Sequence, residues 1–248
     1  MENKMVCIVQ ARCGSTRLPN KVLKKLTEHK TMLEHLIERL KRSKTIDEIV
    51  IATTDQESDN EIEKIAKACS VQCFRGDELN VLKRYYEAAS EYNAEIIVRV
   101  TSDCPLIHIP LVDSVIKEFL SNDVDYLAPR SSDGLIRGLD VEVFSLKALK
   151  KAYIECKESE GLEHVTYYMY RNPNIFKVKS FIFDEELKNN NMRLCVDEEL
   201  DYIKVKKIYE RFYKENEIIN TLEVIKWLKD NDEINEINKS VKQKALGE

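Results

Sequence analysis

Met5-Val6-Cys7-Ile8-Val9 runs directly into Gln10-Ala11-Arg12-Cys13-Gly14-Ser15-Thr16-Arg17-Leu18-Pro19-Asn20-Lys21. The apolar run reads as a first strand. The second stretch reads as a loop with three cations (Arg12, Arg17, Lys21), two hydroxyls (Ser15, Thr16) and Gly14 within ten residues. In an open α/β sheet, ligands bind beyond the carboxyl ends of the strands, so a cationic loop there points to an anion. Arginine offers planar forked donors to phosphate oxygens and lysine a compact charge. Gly14 permits positive φ, which lets backbone N–H groups turn towards a negative ligand. The alternative is a solvated basic loop with no ligand.

Outward from this loop the first half alternates strand and helix. Apolar strands are expected at residues 5–10, 48–53, 71–74, 95–100 and 125–128. Between them Leu33, Leu36, Ile37 and Leu40 keep helical spacing, as do Ile62, Ile65, Ala66 and Cys69, then Leu82, Tyr85, Tyr86 and Ala89. Such repetition predicts an α/β fold, a mostly parallel sheet with helices on both faces. Pro110 suits the first turn of a helix running through Leu120. The second half is less regular. A strand over 141–144 leads into a helix capped by Ser145; helical segments are expected over 163–170, 198–213 and 221–229, and strands over 175–183 and 192–196. With neither repeat nor linker, residues 1–232 read as one domain with an inserted segment at about 130–190. Residues 233–248 read as a polar tail free to fray.

Composition narrows the function. Among 248 residues 43% are hydrophobic, enough for a substantial core, and the net charge of −5 argues against bulk nucleic-acid binding. A basic loop within an acidic chain suits a small anionic ligand instead. The seven cysteines are scattered and odd in number, so reduced thiols are expected, and Cys69-x3-Cys73 lacks the second pair or histidine a zinc site needs. No apolar run approaches 18 residues and no signal-peptide core opens the chain, so a cytoplasmic protein without a membrane span is expected. Neither G-x-x-x-x-G-K-[ST] nor G-x-G-x-x-G occurs, so side-chain cations must carry more of any phosphate grip than backbone amides.

Four further groups carry candidate chemistry. Arg99-Val100-Thr101-Ser102-Asp103-Cys104-Pro105 again ends a strand, and Asp103 is there either a turn residue or a Mg2+ ligand. Arg193-Leu194-Cys195-Val196-Asp197-Glu198-Glu199 ends in an acidic cluster opening a helix; Asp197 is either its N-cap or a metal ligand. Arg137-Gly138-Leu139-Asp140-Val141-Glu142 is either an exposed turn or a substrate loop, with Arg137 for an acid and Asp140 and Glu142 for hydroxyls. His164, after Glu163, is either a packed residue or one that orients a ligand. Asp123-Val124-Asp125 has the D-x-D form of many glycosyltransferases but precedes its strand, so it reads as a turn.

Taken in order, the residues from Gln10 to Lys21, Ala52-Thr53-Thr54-Asp55, Phe74-Arg75-Gly76, 99–106, 137–142, 163–166 and 194–197 resemble the SpsF-type proteins of polysaccharide synthesis. These are relatives of the CMP-KDO and CMP-sialate synthetases. The resemblance implies a GT-A-like, Rossmann-like nucleotidyltransferase fold, working as a homodimer on CTP with Mg2+ or Mn2+. It implies that Arg12, Ser15, Arg17 and Lys21 bind the triphosphate, within a nucleotide site that also takes in Gln10, Ala11, Gly14, Ser102 and Arg75. Asp103 and Asp197 match the family's two metal-binding aspartates, and Arg12, Arg17, Lys21 and Asp103 its catalytic set. Arg137, Asp140, Glu142 and His164 are then the substrate side. This chain departs from the family pattern at Cys13 (Met), Asn20 (Gly), Ser102 (Gly) and Glu198-Glu199-Leu200-Asp201 (Thr-Pro-Glu-Asp), none of which removes a charged site residue.

The expected reaction is in-line attack of an acceptor oxygen on the α-phosphorus of CTP with loss of pyrophosphate. It serves surface, spore-coat or flagellar glycan synthesis, with an acidic sugar or a phosphorylated small acid as acceptor. The rivals are a glycosyltransferase on the same fold, releasing a nucleoside diphosphate, and a non-catalytic nucleotide-binding scaffold.

Overall fold

A computed structural model describes residues 3–243. The strands are β1 (Met5–Gln10), β2 (Glu48–Thr54), β3 (Gln72–Gly76), β4 (Ile96–Thr101), β5 (Tyr126–Ala128), β6 (Glu142–Ser145) and β7 (Val178–Ser180). The helices are α1 (Met32–Leu40), α2 (Asn60–Ala68), α3 (Val81–Glu91), α4 (Ile109–Leu120), α5 (Leu146–Glu155), α6 (Ser159–Glu163), α7 (Tyr167–Arg171), α8 (Glu199–Phe212), α9 (Thr221–Lys229) and α10 (Asp232–Asn235). One seven-stranded sheet runs β3-β2-β1-β4-β6-β5-β7, parallel except at β6, which pairs antiparallel with β4 and β5.

Strand alternation sends successive side chains to opposite faces. In β1, Cys7 and Val9 join an apolar cluster with α1, α2, α4, α8 and α9, whereas Val6 and Ile8 join one with α3, α5 and α7. Both faces are thus covered, which is why the central strands are apolar throughout; each fully buried aliphatic residue contributes about 1.5–3 kcal/mol. The helices start where their caps dictate. Thr31 and Glu34 form a capping box at α1, and the Ser145 and Asn80 side chains accept the Ala148 and Lys83 N–H groups at α5 and α3.

β1 leads to β2 and β3 on one side, and the chain then crosses back to lay β4 on the other. The order therefore reverses between β1 and β4, with Gln10 beside Thr101 at the carboxyl ends. A crevice opens at such a switch point, and here it lies under the loops that begin at Ala11 and Ser102.

The second half departs from expectation in four places. The strand expected over 175–183 shortens to the three residues of β7. Residues 192–196 are extended but form no strand, because their N–H groups are taken by loops: Leu194 N donates to Arg137 O (2.7 Å) and Val196 N to Asp103 O (2.8 Å). The helix expected over 163–170 is two short ones, α6 and α7, with His164 in the break. The polar tail docks as far as it is described. α10 and a following 3-10 turn (Glu236–Asn238) pack on α8, where Asn238 is buried and Lys204 Nζ donates to Asn235 O (3.0 Å) and Asn238 Oδ1 (3.1 Å). Residues 244–248 of that tail lie outside the described residues. No described helix is long and apolar enough to cross a membrane.

Candidate active site

The basic loop is folded on itself and tied to the sheet. Asn20 N and Ser15 N both donate to Cys13 O (3.0 and 2.8 Å), and Leu18 and Val22 anchor the loop in the core. Cys13 N donates to Asp59 Oδ1 (2.8 Å), while the Thr53 and Thr54 hydroxyls donate to Asp59 Oδ2. Burial favours the neutral form of Asp59, but these hydrogen bonds prevail and hold its carboxyl below the usual range. Asn20 sits at φ 56°, the left-handed region where glycine is easiest and asparagine is tolerated. That accounts for Asn at a position where Gly is usual.

The turn at Asn20 aims Lys21 inward. Its Nζ donates to Asp103 Oδ2, Asp197 Oδ1 and the Val196 carbonyl, each at 2.9 Å. Burial alone would lower the Lys21 pKa; the facing Asp103 and Asp197 carboxylates outweigh it and raise it. Burial likewise works against ionised Asp103, but Lys21 and the Thr101 hydroxyl hold its carboxyl well below the usual range. The two aspartates are treated alike. In each, one oxygen is tied back to the protein and the other faces the common point. Thr101 Oγ1 donates to Asp103 Oδ1 (2.6 Å), and Arg193 Nη2 donates to Asp197 Oδ2. Arg17 joins from the loop, 3.2 Å from Asp197 Oδ1 and 3.4 Å from Glu198 Oε1. The N-cap of α8 is Glu198, not Asp197, so Asp197 is left for the cations.

Two cavities flank the loop. A cleft of about 850 Å³ holds Arg17, Asp103, Asp197, Arg137, Asp140, Glu142 and His164, and adds Arg99, Tyr126, Arg130, Tyr170 and Arg171. A second hollow of about 450 Å³ lies between Arg12 and the loop Asp77–Val81, with Gly14 facing Glu78. The expected site residues are therefore divided: Arg17, Lys21, Asp103 and Asp197 meet at one point, and Arg12 lines the smaller hollow and not the cleft. Gln10 and Ala11 continue the sheet, Gln10 Oε1 accepting from Arg99 (3.1 Å) and Ala11 being buried. Ser15 Oγ accepts from Leu18 N (3.4 Å), and Ser102 is buried with its N–H on Gln10 O (3.3 Å). Arg75 is not brought to either cavity. Its guanidinium clamps Glu63, Asn60 and the carbonyls of Thr54 and Gln56.

In the larger cleft Asp140 accepts from Gly138 N (3.1 Å) and Ser131 Oγ (3.2 Å), and burial raises its carboxyl pKa. Glu142 is held by Arg99, Tyr126 Oη and Thr166 Oγ1 (2.7 Å), which makes it a brace of the cleft wall. Arg130, Arg137 and Arg171 make no ion pair among the described residues, so three guanidinium groups on the cleft wall stay open to an anion. Asp123 and Asp125 sit at the opposite, amino end of β5, engaged by Lys177, and contribute nothing to the cleft.

Sequence reasoning passed over Thr101, Asp59, Arg99 and Arg193. Thr101 lies two residues before Asp103, Arg193 four before Asp197, and Asp59 five and six after Thr54 and Thr53, whereas Arg99 acts through Gln10 and Glu142, distant in the chain. As for a metal, Asp103 and Asp197 present hard oxygens to a single point, which suits Mg2+ or Mn2+. No third His, Cys, Asp or Glu joins them in a metal-binding group among the described residues, so phosphate oxygens and water would complete the shell.

A mostly parallel α/β sheet with a basic loop and two converging carboxylates at its switch point defines a nucleotidyltransferase-type protein. The chain belongs to the cytidylyltransferase family, whose model matches residues 6–239. It is 42% identical over 247 residues to an uncharacterized protein of Methanocaldococcus jannaschii, covering 99% of this chain and 98% of that one. It is 32% identical over 213 residues to the spore coat polysaccharide biosynthesis protein SpsF of Bacillus subtilis, covering 84% and 88%. A solved cytidylyltransferase structure from Leptospira borgpetersenii superposes with a TM-score of 0.89 at 32% identity, over 98% of this chain and all of that one.

Proposed function

We propose that this chain transfers CMP from CTP to an acidic sugar or a phosphorylated small acid, releasing pyrophosphate, with Mg2+ between Asp103 and Asp197. The observation that carries the reading is the shared cation point, 2.9 Å from one oxygen of each aspartate, beside the basic loop. Asp103 and Asp197 would hold a divalent ion, which would neutralise phosphate charge and polarise the α-phosphoryl group. Lys21 then turns its ammonium to the departing pyrophosphate, and Arg17 and Arg12 grip the phosphate chain from either side of the loop. The acceptor oxygen bonds to the α-phosphorus as the α–β bridging bond breaks, and Asp140, raised by burial, takes the acceptor's proton. The hollow beside Arg12 and Asp77 takes the nucleoside, and Arg130, Arg137 and Arg171 favour an anionic acceptor in the larger cleft. The name of the Bacillus subtilis relative supports a role in surface polysaccharide synthesis.

The homodimer belongs to this same reading; Ile182, 91% exposed just past the edge strand β7, is an apolar contact suited to a second copy. The test of function is pyrophosphate release with each of four NTPs against a panel of ulosonic acids, nonulosonic acids and phospho-acids. Release with CTP and an acidic acceptor is expected. Release of a nucleoside diphosphate from a sugar nucleotide, or CTP binding without turnover on any acceptor, overturns the reading.

A further inference from the structure

Arg193 lies in the segment that precedes Asp197, and its side chain is only 10% exposed. Each edge of the fork has one partner. Nε donates to Asp201 Oδ1 (3.0 Å), Nη2 to Asp197 Oδ2, and Nη1 to Gln243 Oε1 (2.8 Å). Asp201 is wholly buried, and its other oxygen accepts the N–H groups of Asp197 (2.9 Å) and Glu198 (3.1 Å), so it fixes the backbone that carries Asp197. Asn238 closes the ring from the C-terminal turn, its Nδ2 donating to Asp201 Oδ1 (2.7 Å) and to the Arg193 carbonyl (3.2 Å). The limb to Asp197 occupies the oxygen that does not face Lys21. Thr101 does the same for Asp103, so the two carboxylates each offer a single oxygen to one point.

We propose that Arg193 is a positioning residue that turns one oxygen of Asp197 towards a divalent ion, and that Gln243, five residues beyond the C-terminal 3-10 turn, sets the angle of its guanidinium. The inference rests on the nucleotidyl-transfer reading above. Gln243 stands where the catalytic cleft meets a smaller cavity of about 370 Å³, and both cavities also border Arg137. The end of the chain is thereby coupled to the metal point through one side chain. Partners of this kind, which orient a ligand without touching the ion, change metal affinity by about 10–100-fold when removed.

The experiment is titration of the full chain with Mn2+ in the presence of CTP and no acceptor, read by the electron-spin signal of free Mn2+. Arg193→Met is expected to weaken Mn2+ binding about 10–100-fold. Arg193→Lys, which keeps the charge but reaches fewer partners, should recover part of that loss. Gln243→Ala should weaken binding about 3-fold with its melting temperature unchanged, the smaller effect reflecting one removed partner of the fork. Gln243→Ala carries the test even where Arg193→Met fails to fold. Wild-type Mn2+ affinity in Gln243→Ala and in a folded Arg193 variant overturns the positioning role. Absence of Mn2+–CTP binding in the wild-type chain overturns the nucleotidyl-transfer reading itself, and this inference with it.

Discussion

Replacing Lys21 by methionine separates the two roles of the ammonium. In the ligand-free protein it is the counter-ion that lets Asp103 and Asp197 converge, with side-chain exposures of 12%, 23% and 12% for the three groups. Breaking a buried pair by removing one partner costs about 3–5 kcal/mol, and the partial exposure of Asp103 favours the lower figure. About 3 kcal/mol in a chain of this size lowers Tm by about 6–12 °C. The depressed Asp103 carboxyl contributes stability that is present above its unfolded pKa of about 4 and is lost as pH falls below that value, so the deficit should be larger at pH 7 than at about pH 2. Added Mn2+ should restore much of the lost Tm in Lys21→Met without CTP, because the point between the carboxylates is vacated, and should do little for the wild type. Turnover should move the other way and fall about 10²–10³-fold whatever the metal concentration, since the charge on the leaving pyrophosphate loses its partner. Differential scanning fluorimetry with and without Mn2+, alongside a pyrophosphate-release assay, reads both. A Lys21→Met protein with wild-type Tm and undiminished turnover refutes the reasoning.

Asp59→Ala strands the Cys13 N–H and the Thr53 and Thr54 hydroxyls, and should cost about 3 kcal/mol in urea unfolding and raise KM for CTP about tenfold. Gly138→Ala meets a backbone that cannot yield: φ is +97° and a Cβ would lie 2.4 Å from Cys195 N, so a loss of about 3 kcal/mol or more is expected in the same assay. His35, packed against Tyr209 and Tyr213, has its pKa lowered to about 4, first by burial and then by Lys30. Its folded pKa lies below its unfolded one, so stability is full above about pH 6.5 and declines as pH falls towards 4; about 2 kcal/mol should be lost by pH 5, and His35→Gln should flatten that slope.

The parallel core and the basic loop were legible because their signals are local: apolar runs of strand length, helical spacing, and caps such as Ser145. The convergence of Lys21 on Asp103 and Asp197 was legible only as a list of charges, since their meeting depends on the turn at Asn20 and on where β1 and β4 fall in the sheet. Arg75 shows the limit of residue type alone. It has the charge of a phosphate ligand and the neighbourhood of one, but its edge strand turns it to Glu63. Arg193 fails in the opposite direction. Asp197 lies four residues on, but the partners that lock the guanidinium, Asp201, Asn238 and Gln243, are 8, 45 and 50 residues away, and no periodicity announces them. Residues 192–196 misled for the same reason, being extended by contact with two loops and not by a neighbouring strand.

The antiparallel entry of β6 has a consequence for how such proteins diversify. Because β6 slots between β4 and β5, most of the cleft wall comes from one contiguous stretch, Pro129 to Arg171, while Arg17, Asp103 and Asp197 reach it from the first loop, the end of β4 and the segment before α8. That stretch can be rewritten as a cassette while the basic loop and the two converging aspartates stay put. Chimaeras cut near residues 129 and 171 are the natural unit for transplanting acceptor preference between relatives.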